Sequence, residues 1–161
     1  MNPNLVVLVG QMGVGKTTVG RLVADRLGLS FYDCDAQIEE ITGRTSREIA
    51  RSDGVPALHS LELSVLLSAL ENAPAVIAAA ASVVDRQAGR DAIGEATCVW
   101  IDRVPDVTAR PGEHHRRSVG DDEHLERRRP VYQDLADLAL TGPGTAEDYA
   151  DRVIEFLGHN S

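Results

Sequence analysis

The sequence is poor in lysine, cysteine and aromatic residues, and each scarcity restricts what the protein can be. Aromatic residues make up 4% of the 161 residues, there are two cysteines, and Lys16 is the single lysine among 16 basic residues. Two cysteines cannot build a disulfide framework, so a reducing, cytoplasmic location is expected. Because arginine serves at every other basic position, we expect Lys16 to place a compact charge inside a tight loop, which a planar guanidinium cannot do.

Long apolar runs and an excess of positive charge are also missing. No segment approaches the roughly 20 apolar residues of a membrane-spanning helix, and Leu5–Val9 lacks the flanks of a signal peptide. The net charge of −9 argues against broad nucleic-acid binding, which requires a basic surface. A hydrophobic share of 43% excludes disorder and suffices for one globular domain over residues 1–161. We therefore expect a monomer whose partner is a small molecule, not a nucleic acid or a membrane.

Apolar runs alternate with helical patterns along the chain, which predicts an α/β fold with a parallel sheet. Strands are expected at Leu5–Val9, Leu29–Tyr32, Ala75–Ala80 and Cys98–Asp102, with a weaker fifth within Asp134–Leu140. The helical patterns predict a helix ending at Gly28, short helices broken near Gly43, a turn at Asp53–Pro56, a long helix at Leu58–Leu70 and a last helix at Ala146–Leu157.

The segment between the first strand and the first helix matches the phosphate-binding pattern G-x-x-x-x-G-K-[ST] from Gly10 to Thr17. Its glycines let backbone N–H groups converge on phosphate oxygens, and the helix N-terminus adds positive potential. Lys16 is expected to reach the terminal phosphates and Thr17 to bind Mg²⁺. The expected nucleotide-binding residues are Gly10, Met12, Gly13, Val14, Gly15, Lys16, Thr17 and Thr18. The alternative is a glycine-rich turn without a ligand.

A phosphate-binding loop occurs in several classes of protein, and the single lysine excludes one of these classes. A GTPase would need an N-K-x-D motif, which a chain whose only lysine is Lys16 cannot contain. A motor ATPase would be larger and carry a fuller acidic motif after a strand. Small phosphoryl transferases remain.

Two aspartates follow the predicted second strand, at the edge of the sheet where α/β proteins bind ligands. Asp33 and Asp35 are two residues apart, so on an extended segment both carboxylates face the same side. One could hold the metal shell and the other accept a proton from a substrate hydroxyl. The alternative is that Asp35 caps a helix and Asp33 belongs to a turn.

The segment Pro111–His124 is polar and poor in apolar residues. At about 14 residues it is long for a plain connection. It is expected to be a lid over the site, or a solvated loop.

Several of these segments together resemble the shikimate kinases. The similarity lies in Phe31-Tyr32-Asp33-Cys34-Asp35, Ile38-Glu39, Gly43-Arg44, Asp53-Gly54, Glu62 and Arg128-Arg129-Pro130-Val131-Tyr132, together with the phosphate-binding loop. The resemblance covers nearly the whole chain. It implies a three-layer fold like that of the nucleoside monophosphate kinases, with five parallel strands and a lid at about 111–124. It also implies phosphoryl transfer from MgATP to a ring hydroxyl of shikimate, which gives shikimate 3-phosphate.

The resemblance further implies roles for individual residues. Asp33 would act near Mg²⁺ through water, and Asp35 would bind the acceptor hydroxyl and serve as base. Arg128 would pair with the substrate carboxylate, as a bidentate guanidinium can. Arg110 would stack on adenine, and Arg117, or the adjacent Arg116, would stabilise the transferring phosphoryl group. The expected substrate-binding residues are Asp35, His59, Ala80, Ala81 and Arg128.

The acceptor half departs from the family pattern in three places. His59 stands where the family has an arginine that pairs with the following glutamate and helps to clamp the carboxylate. Ala79-Ala80-Ala81-Ser82 replaces three consecutive glycines, and Arg117-Ser118-Val119 replaces the usual lid sequence. Three functions therefore stay open: a shikimate kinase, a kinase for another acceptor, and a nucleotide-binding paralogue without kinase activity.

Three further features are assigned structural roles. Cys34 and Trp100 are expected to be packed side chains. Of Arg127, Arg128 and Arg129, one is expected to face the site and two to be solvated, because consecutive helical residues point to different faces.

Overall fold

The computed structural model describes residues 2–103 and 121–160. Its strands are β1 (Leu5–Val9), β2 (Ser30–Asp33), β3 (Ala75–Ala78), β4 (Thr97–Asp102) and β5 (Leu138–Thr141). Its helices are α1 (Lys16–Leu27), α2 (Cys34–Thr42), α3 (Ser46–Asp53), α4 (Val55–Leu70), α5 (Gln87–Gly94), α6 (Asp121–Leu135) and α7 (Ala146–His159), and a 3₁₀ helix spans Ala81–Asp85. In these residues the strands form one parallel sheet in the order β2-β3-β1-β4-β5. The predicted α/β fold with five parallel strands is confirmed.

The sheet is covered on both faces, which explains the continuous apolar run of β1. Leu5, Val7 and Val9 pack into the core beneath α4, α5 and α6, while Val6 and Leu8 pack against α1 and α7. All five side chains are buried. A central parallel strand has no solvated side, so its sequence shows no polar alternation. The result is the predicted arrangement of three layers.

The topology places the loop at residues 10–17 at a position in the sheet where ligands commonly bind. This strand lies between β3 and β4, and the chain leaves it toward β2 on one side and later returns to β4 on the other. In such sheets ligands bind beyond the carboxyl ends of the strands where the direction of connection changes. Residues 10–17 follow β1 at this point.

Several predicted boundaries were wrong. The third strand ends at Ala78 instead of Ala80, because a 3₁₀ helix begins at Ala81. The fifth strand lies at Leu138–Thr141, where it pairs with β4. The predicted turn at Asp53–Pro56 is reduced to Gly54 alone, since Pro56 occupies the first turn of α4, where its missing N–H has no intrahelical partner to lose.

The predicted lid falls largely outside the described residues. Residues 121–124 belong to α6, whereas residues 104–120, including Arg110, Arg116 and Arg117, are not described. None of the helices in the described ranges combines the length and the apolar character needed to cross a membrane.

Candidate active site

The loop after β1 requires glycine at two positions for steric reasons. Gly10 has φ 144°, and a Cβ there would lie 2.7 Å from the carbonyl oxygen of Ile101. Gly15 has φ 104° and is the N-cap residue of α1, and a Cβ there would lie 2.7 Å from the Arg103 guanidinium. The N–H groups of the first turn of α1 point out of its N-terminal end toward the loop, as in any α-helix, and no side chain caps them. This is a backbone arrangement that binds phosphate.

Lys16 is held inside this loop. Its Nζ donates hydrogen bonds to the carbonyl oxygens of Gly10 at 2.5 Å and Gln11 at 3.2 Å. Burial lowers the pKa of Lys16 to about 8, and the charges of Asp35 and Asp33 oppose that fall. The ammonium therefore stays mostly protonated at pH 7, as a compact cation where the terminal phosphates of a bound nucleotide would lie.

Thr17 and Asp33 are in direct contact. The Thr17 hydroxyl donates a hydrogen bond of 2.7 Å to Asp33 Oδ2, while Asp33 Oδ1 accepts from the backbone N–H groups of Asp35 and Ala36. Asp33 is thus the N-cap of α2. The expectation of an extended Asp33–Asp35 segment was wrong, because α2 begins at Cys34. Asp35 is not the cap, so the alternative stated for these residues was wrong as well.

This pair supplies the oxygen ligands that Mg²⁺ prefers. In the part of the chain that the structure describes, no group of three or more His, Cys, Asp or Glu side chains could hold a metal ion. The arrangement suits a cation that takes one or two protein oxygens and completes its shell with phosphate and water, as Mg²⁺ does. Thr17 and Asp33 fit that role.

The structure places Asp35 within electrostatic reach of Lys16. Asp35 lies half-buried in the first turn of α2, and its charge makes the largest contribution that raises the pKa of Lys16. Its carboxylate therefore faces the end of the sheet where phosphate would bind. A base at this position can accept a proton from a hydroxyl that attacks the terminal phosphate.

Glu62 and Ser82 form a buried, hydrogen-bonded pair. The Ser82 hydroxyl donates a hydrogen bond of 2.9 Å to Glu62 Oε1. Burial raises the pKa of Glu62 to about 7, although the Ser82 hydrogen bond opposes that rise. Glu62 is therefore about half-protonated near neutral pH. Ser82, at a position where the family pattern has glycine, supplies the donor that holds this carboxyl group.

Arg128 is anchored by an acidic side chain that the sequence analysis did not select. Its Nε and Nη2 donate to the two carboxylate oxygens of Asp85 at 3.0 and 2.9 Å, and its Nη1 donates to Gln11 Oε1 at 3.2 Å. The Arg128 side chain is 8% exposed, and that of Asp85 is 25% exposed. Burial opposes the charge of Asp85, but the hydrogen bonds and charge of Arg128 hold the pKa of Asp85 below its ordinary value.

The structure also describes the predicted substrate-binding residues His59, Ala80 and Ala81. His59 is half-buried on α4, and burial lowers its pKa while the charge of Asp85 opposes the fall. His59 is therefore mostly neutral at pH 7. Ala80 is buried, and the backbone oxygen of Ala81 accepts a hydrogen bond of 3.4 Å from the Tyr132 hydroxyl.

We expected two of the three consecutive arginines to be solvated, and the structure agrees only in part. Arg128 is buried and Arg127 is 61% exposed, but Arg129 is 34% exposed and donates to Asp102 at 2.9 Å. Arg129 also lies over the Trp100 ring at 5.9 Å. Trp100 and Cys34 are buried, as expected, and burial raises the pKa of the Cys34 thiol, so it is not a nucleophile at neutral pH.

Sequence reasoning missed two residues of this site. Arg103 Nε donates to the backbone oxygen of Val14 at 2.7 Å and so braces the phosphate-binding loop. Its position directly after a predicted strand, at the ligand-binding edge of the sheet, was an available signal. Asp85 had no comparable signal, because it lies 43 residues from its partner Arg128.

Comparisons with known proteins agree with this geometry. A family model described as shikimate kinase matches residues 12–158. The shikimate kinase of Thermobifida fusca is 35% identical over 165 residues, which cover 95% of this chain and 94% of that relative. The shikimate kinase of Cereibacter sphaeroides is 37% identical over 163 residues, which cover 94% of this chain and 81% of the relative.

The fold agrees as closely as the sequence. The solved structure of a shikimate kinase from Acinetobacter baumannii in complex with shikimate has a TM-score of 0.87 and 28% identity, and the match covers 98% of this chain and 94% of that one. The resemblance stated from the sequence is confirmed. Because the family match runs from the phosphate-binding loop into α7, with the fold preserved along it, the chain belongs to the shikimate kinase family.

Proposed function

We propose that this protein transfers a phosphoryl group from MgATP to a hydroxyl group of shikimate, giving ADP and shikimate 3-phosphate. The observation that carries the proposal is the intact phosphate-binding half of the site. Lys16 Nζ is fixed by two loop carbonyls, and the Thr17 hydroxyl contacts Asp33. The shikimate bound in the related Acinetobacter baumannii structure supports the choice of acceptor.

The residues divide into a phosphate-binding group and an acceptor group. The backbone N–H groups of residues 10–18 bind the phosphates, and Lys16 neutralises charge on the terminal ones. Thr17 and Asp33 would hold Mg²⁺, directly or through water, and the ion would neutralise phosphate charge. Arg110 and Arg117, outside the described residues, are proposed to contact adenine and the transferring phosphoryl group.

The reaction needs one proton acceptor. The acceptor hydroxyl oxygen bonds to the terminal phosphorus of ATP as the bond from that phosphorus to the ADP oxygen breaks, and Asp35 takes the hydroxyl proton. Little covalent chemistry falls to the protein, so the rate comes from positioning and from charge stabilisation by Lys16 and the lid arginine. Arg128 would orient the acceptor through its carboxylate. The proposed enzyme is a monomer.

A second function is a kinase for another small hydroxylated acceptor. It is favoured by the altered acceptor half, where His59 is mostly neutral and Arg128 is already paired with Asp85. The phosphate-binding half is the same in both proposals. The two differ only in which molecule is phosphorylated.

The test is a coupled assay of ADP release with shikimate and with a panel of polyols and hydroxy acids. We expect release that depends on shikimate and Mg²⁺, with the phosphorylated product identified by mass spectrometry, and no release by Lys16→Ala. Release with another acceptor and not with shikimate would favour the second function. Nucleotide binding without release for any acceptor would indicate a binding protein instead of a kinase.

A further inference from the structure

Asp85 occupies the edge of Arg128 that would otherwise be best shaped for an acceptor carboxylate. The Nε and Nη2 hydrogens of a guanidinium form a planar fork that binds both oxygens of one carboxylate. In this protein the fork of Arg128 donates to the two carboxylate oxygens of Asp85, at 3.0 and 2.9 Å. On the opposite edge, Nη1 donates to Gln11 Oε1. A carboxylate of the protein itself therefore occupies the position at which a substrate carboxylate would bind Arg128.

The surrounding charges also disfavour the binding of a negatively charged acceptor. Asp35 and Glu62 act on Lys16 from the same site, and Glu62 acts on Arg128 as well. His59 lies within electrostatic reach of Asp85, but it is mostly neutral and so does not replace the arginine of the family pattern. A negatively charged acceptor that enters here meets carboxylates and a guanidinium whose charge Asp85 already balances.

Neighbouring cations do not draw Asp85 away from Arg128. Arg127 Nη2 lies 3.6 Å from Asp85 Oδ2, but its side chain is 61% exposed and the separation exceeds a hydrogen bond. Arg86, which follows Asp85 in the chain, donates to Ser60 instead. The exposed ion pair between Arg127 and Asp85 is weak because water and salt screen it. The close, well-aligned pair is the one between Asp85 and Arg128.

We propose that Asp85 is a specificity-determining residue that competes with the acceptor's carboxylate for Arg128, so that it weakens the binding of carboxylate acceptors and leaves neutral ones unaffected. The inference rests on the proposed function, in which Arg128 orients the acceptor. Asp85 does not touch the reacting atoms. Its effect falls on acceptor affinity, and the rate of phosphoryl transfer from the bound complex stays the same.

The experiment compares two acceptors of similar shape and different charge. Shikimate and its methyl ester are phosphorylated by wild type, Asp85→Asn and Asp85→Ser, and KM and kcat are measured for each. We expect Asp85→Asn to lower the KM for shikimate about tenfold, the scale of one charge-assisted hydrogen bond, with kcat unchanged. The KM for the ester and the KM for ATP should stay the same within about twofold, since neither involves a carboxylate at Arg128.

Asp85→Ser guards against a structural effect of the first variant, because its shorter neutral side chain leaves room for water on Arg128. Asp151→Asn is the matched control: Asp151 also pairs with an arginine, Arg26, in a contact between α7 and α1 away from the acceptor residues. Thermal unfolding of each variant shows whether the fold is kept. If Asp85→Asn does not fold, the prediction is judged on Asp85→Ser, and loss of folding in both would overturn the proposal in favour of a purely structural pair.

Three kinetic outcomes would overturn the proposal. A higher KM for shikimate in both variants would mean that Asp85 positions Arg128 for the substrate. An unchanged KM would mean that Asp85 does not compete. An equal fall for acid and ester would mean that its bulk matters and its charge does not.

The failure of the proposed function is a separate result. If wild type phosphorylates neither acceptor, the assignment of shikimate fails. Calorimetric binding of shikimate to the same variants then decides the present proposal. Tighter binding by Asp85→Asn or Asp85→Ser upholds it, and equal or undetectable binding by every variant overturns it.

Discussion

The Ser82 hydroxyl donates a hydrogen bond of 2.9 Å to the carboxyl group of Glu62, and each residue is only 7% exposed. This contact joins Ser82, a departure from the family pattern, to a glutamate that the pattern shares, and His59 is a second departure near that glutamate in the sequence. Where the family has an arginine beside the glutamate, this chain has His59, and where the family has glycine it has Ser82. A neutral hydroxyl thus holds a buried carboxyl group, and burial raises the pKa of Glu62 to about 7.

Glu62 should make the protein less stable as the pH rises through the weakly acidic range. The folded state keeps a proton on Glu62 up to about pH 7, whereas the unfolded state loses it near the ordinary value of 4.5. Between these values the folded state binds more protons, so the free energy of unfolding falls with rising pH, by up to about 3 kcal/mol in total. The stabilisation is complete below pH 4.5 and lost above about pH 7.

Urea unfolding of the ligand-free protein at pH 5, 7 and 8 measures this effect. Glu62→Gln can still accept the Ser82 hydrogen bond. Its free energy of unfolding should not fall with rising pH, so it should become more stable relative to wild type as the pH rises. Glu71→Gln, an exposed control at the end of α4, should follow wild type. Parallel curves for wild type and Glu62→Gln would show that Glu62 titrates normally.

Lys16→Ala should fold but lose phosphoryl transfer and most MgATP binding. In the proposed function the ammonium is the compact cation that neutralises the terminal phosphates, and removing it would leave the loop backbone to bind them alone. Lys16→Arg should fail as well, because Nζ lies 2.5 and 3.2 Å from two loop carbonyls and a larger, planar guanidinium does not reproduce these contacts of a compact ammonium. Calorimetry of ATP binding and the ADP-release assay check both. Arg26→Ala, at the far end of α1, is the control, and unchanged ATP affinity in Lys16→Ala would contradict the assignment.

Thr17→Val should raise the Mg²⁺ concentration needed for half-maximal activity by about tenfold or more, because the variant has lost one oxygen ligand that is not replaced within the protein. The isosteric change keeps the size of the side chain but removes the hydroxyl that contacts Asp33 at 2.7 Å. The measurement is a Mg²⁺ titration of activity at saturating ATP. Binding of ATP in EDTA should be unaffected. An unaltered Mg²⁺ requirement would exclude Thr17 from the metal shell.

His59→Arg should lower the KM for shikimate by about tenfold, since it adds a permanent cation on the acceptor side where the native imidazole is mostly neutral. Changing Ala80, Ala81 and Ser82 to glycine in addition should lower it further, in a way that need not be additive. The KM for ATP should barely change. His159→Arg, the same substitution on an exposed side chain of α7, is the control. An unchanged shikimate KM would show that position 59 does not reach the acceptor.

The sequence predicted best what is encoded by neighbouring residues. The apolar run of β1, the glycines of the phosphate-binding loop and the helix that ends at Gly28 are short-range patterns, and the structure has each of them. The contact between Thr17 and Asp33 was also within reach of prediction. Asp33 is the last residue of β2 and Thr17 follows β1 by a short loop, and the carboxyl ends of these parallel strands lie at the same edge of the sheet.

Weak local signals gave poorer predictions. The helix α5 and the 3₁₀ helix at Ala81–Asp85 were not predicted. The fifth strand was expected only somewhere within Asp134–Leu140 and extends one residue beyond that range, because its four residues carry little pattern and are defined by pairing with β4. The segment at Asp33–Asp35 was judged extended, but the Asp33 side chain accepts two backbone N–H groups and starts α2 there.

By itself, then, the sequence determined the fold class, the phosphate-binding loop and the family resemblance, since these depend on residues that are close together or on patterns of burial along single elements. The tertiary structure alone decided which charges meet on the acceptor side. Arg128 meets Asp85 across 43 residues and Glu62 meets Ser82 across 20. Such pairs are set by how the 3₁₀ helix, α4 and α6 pack over the end of the sheet, and no local pattern in the chain encodes that packing.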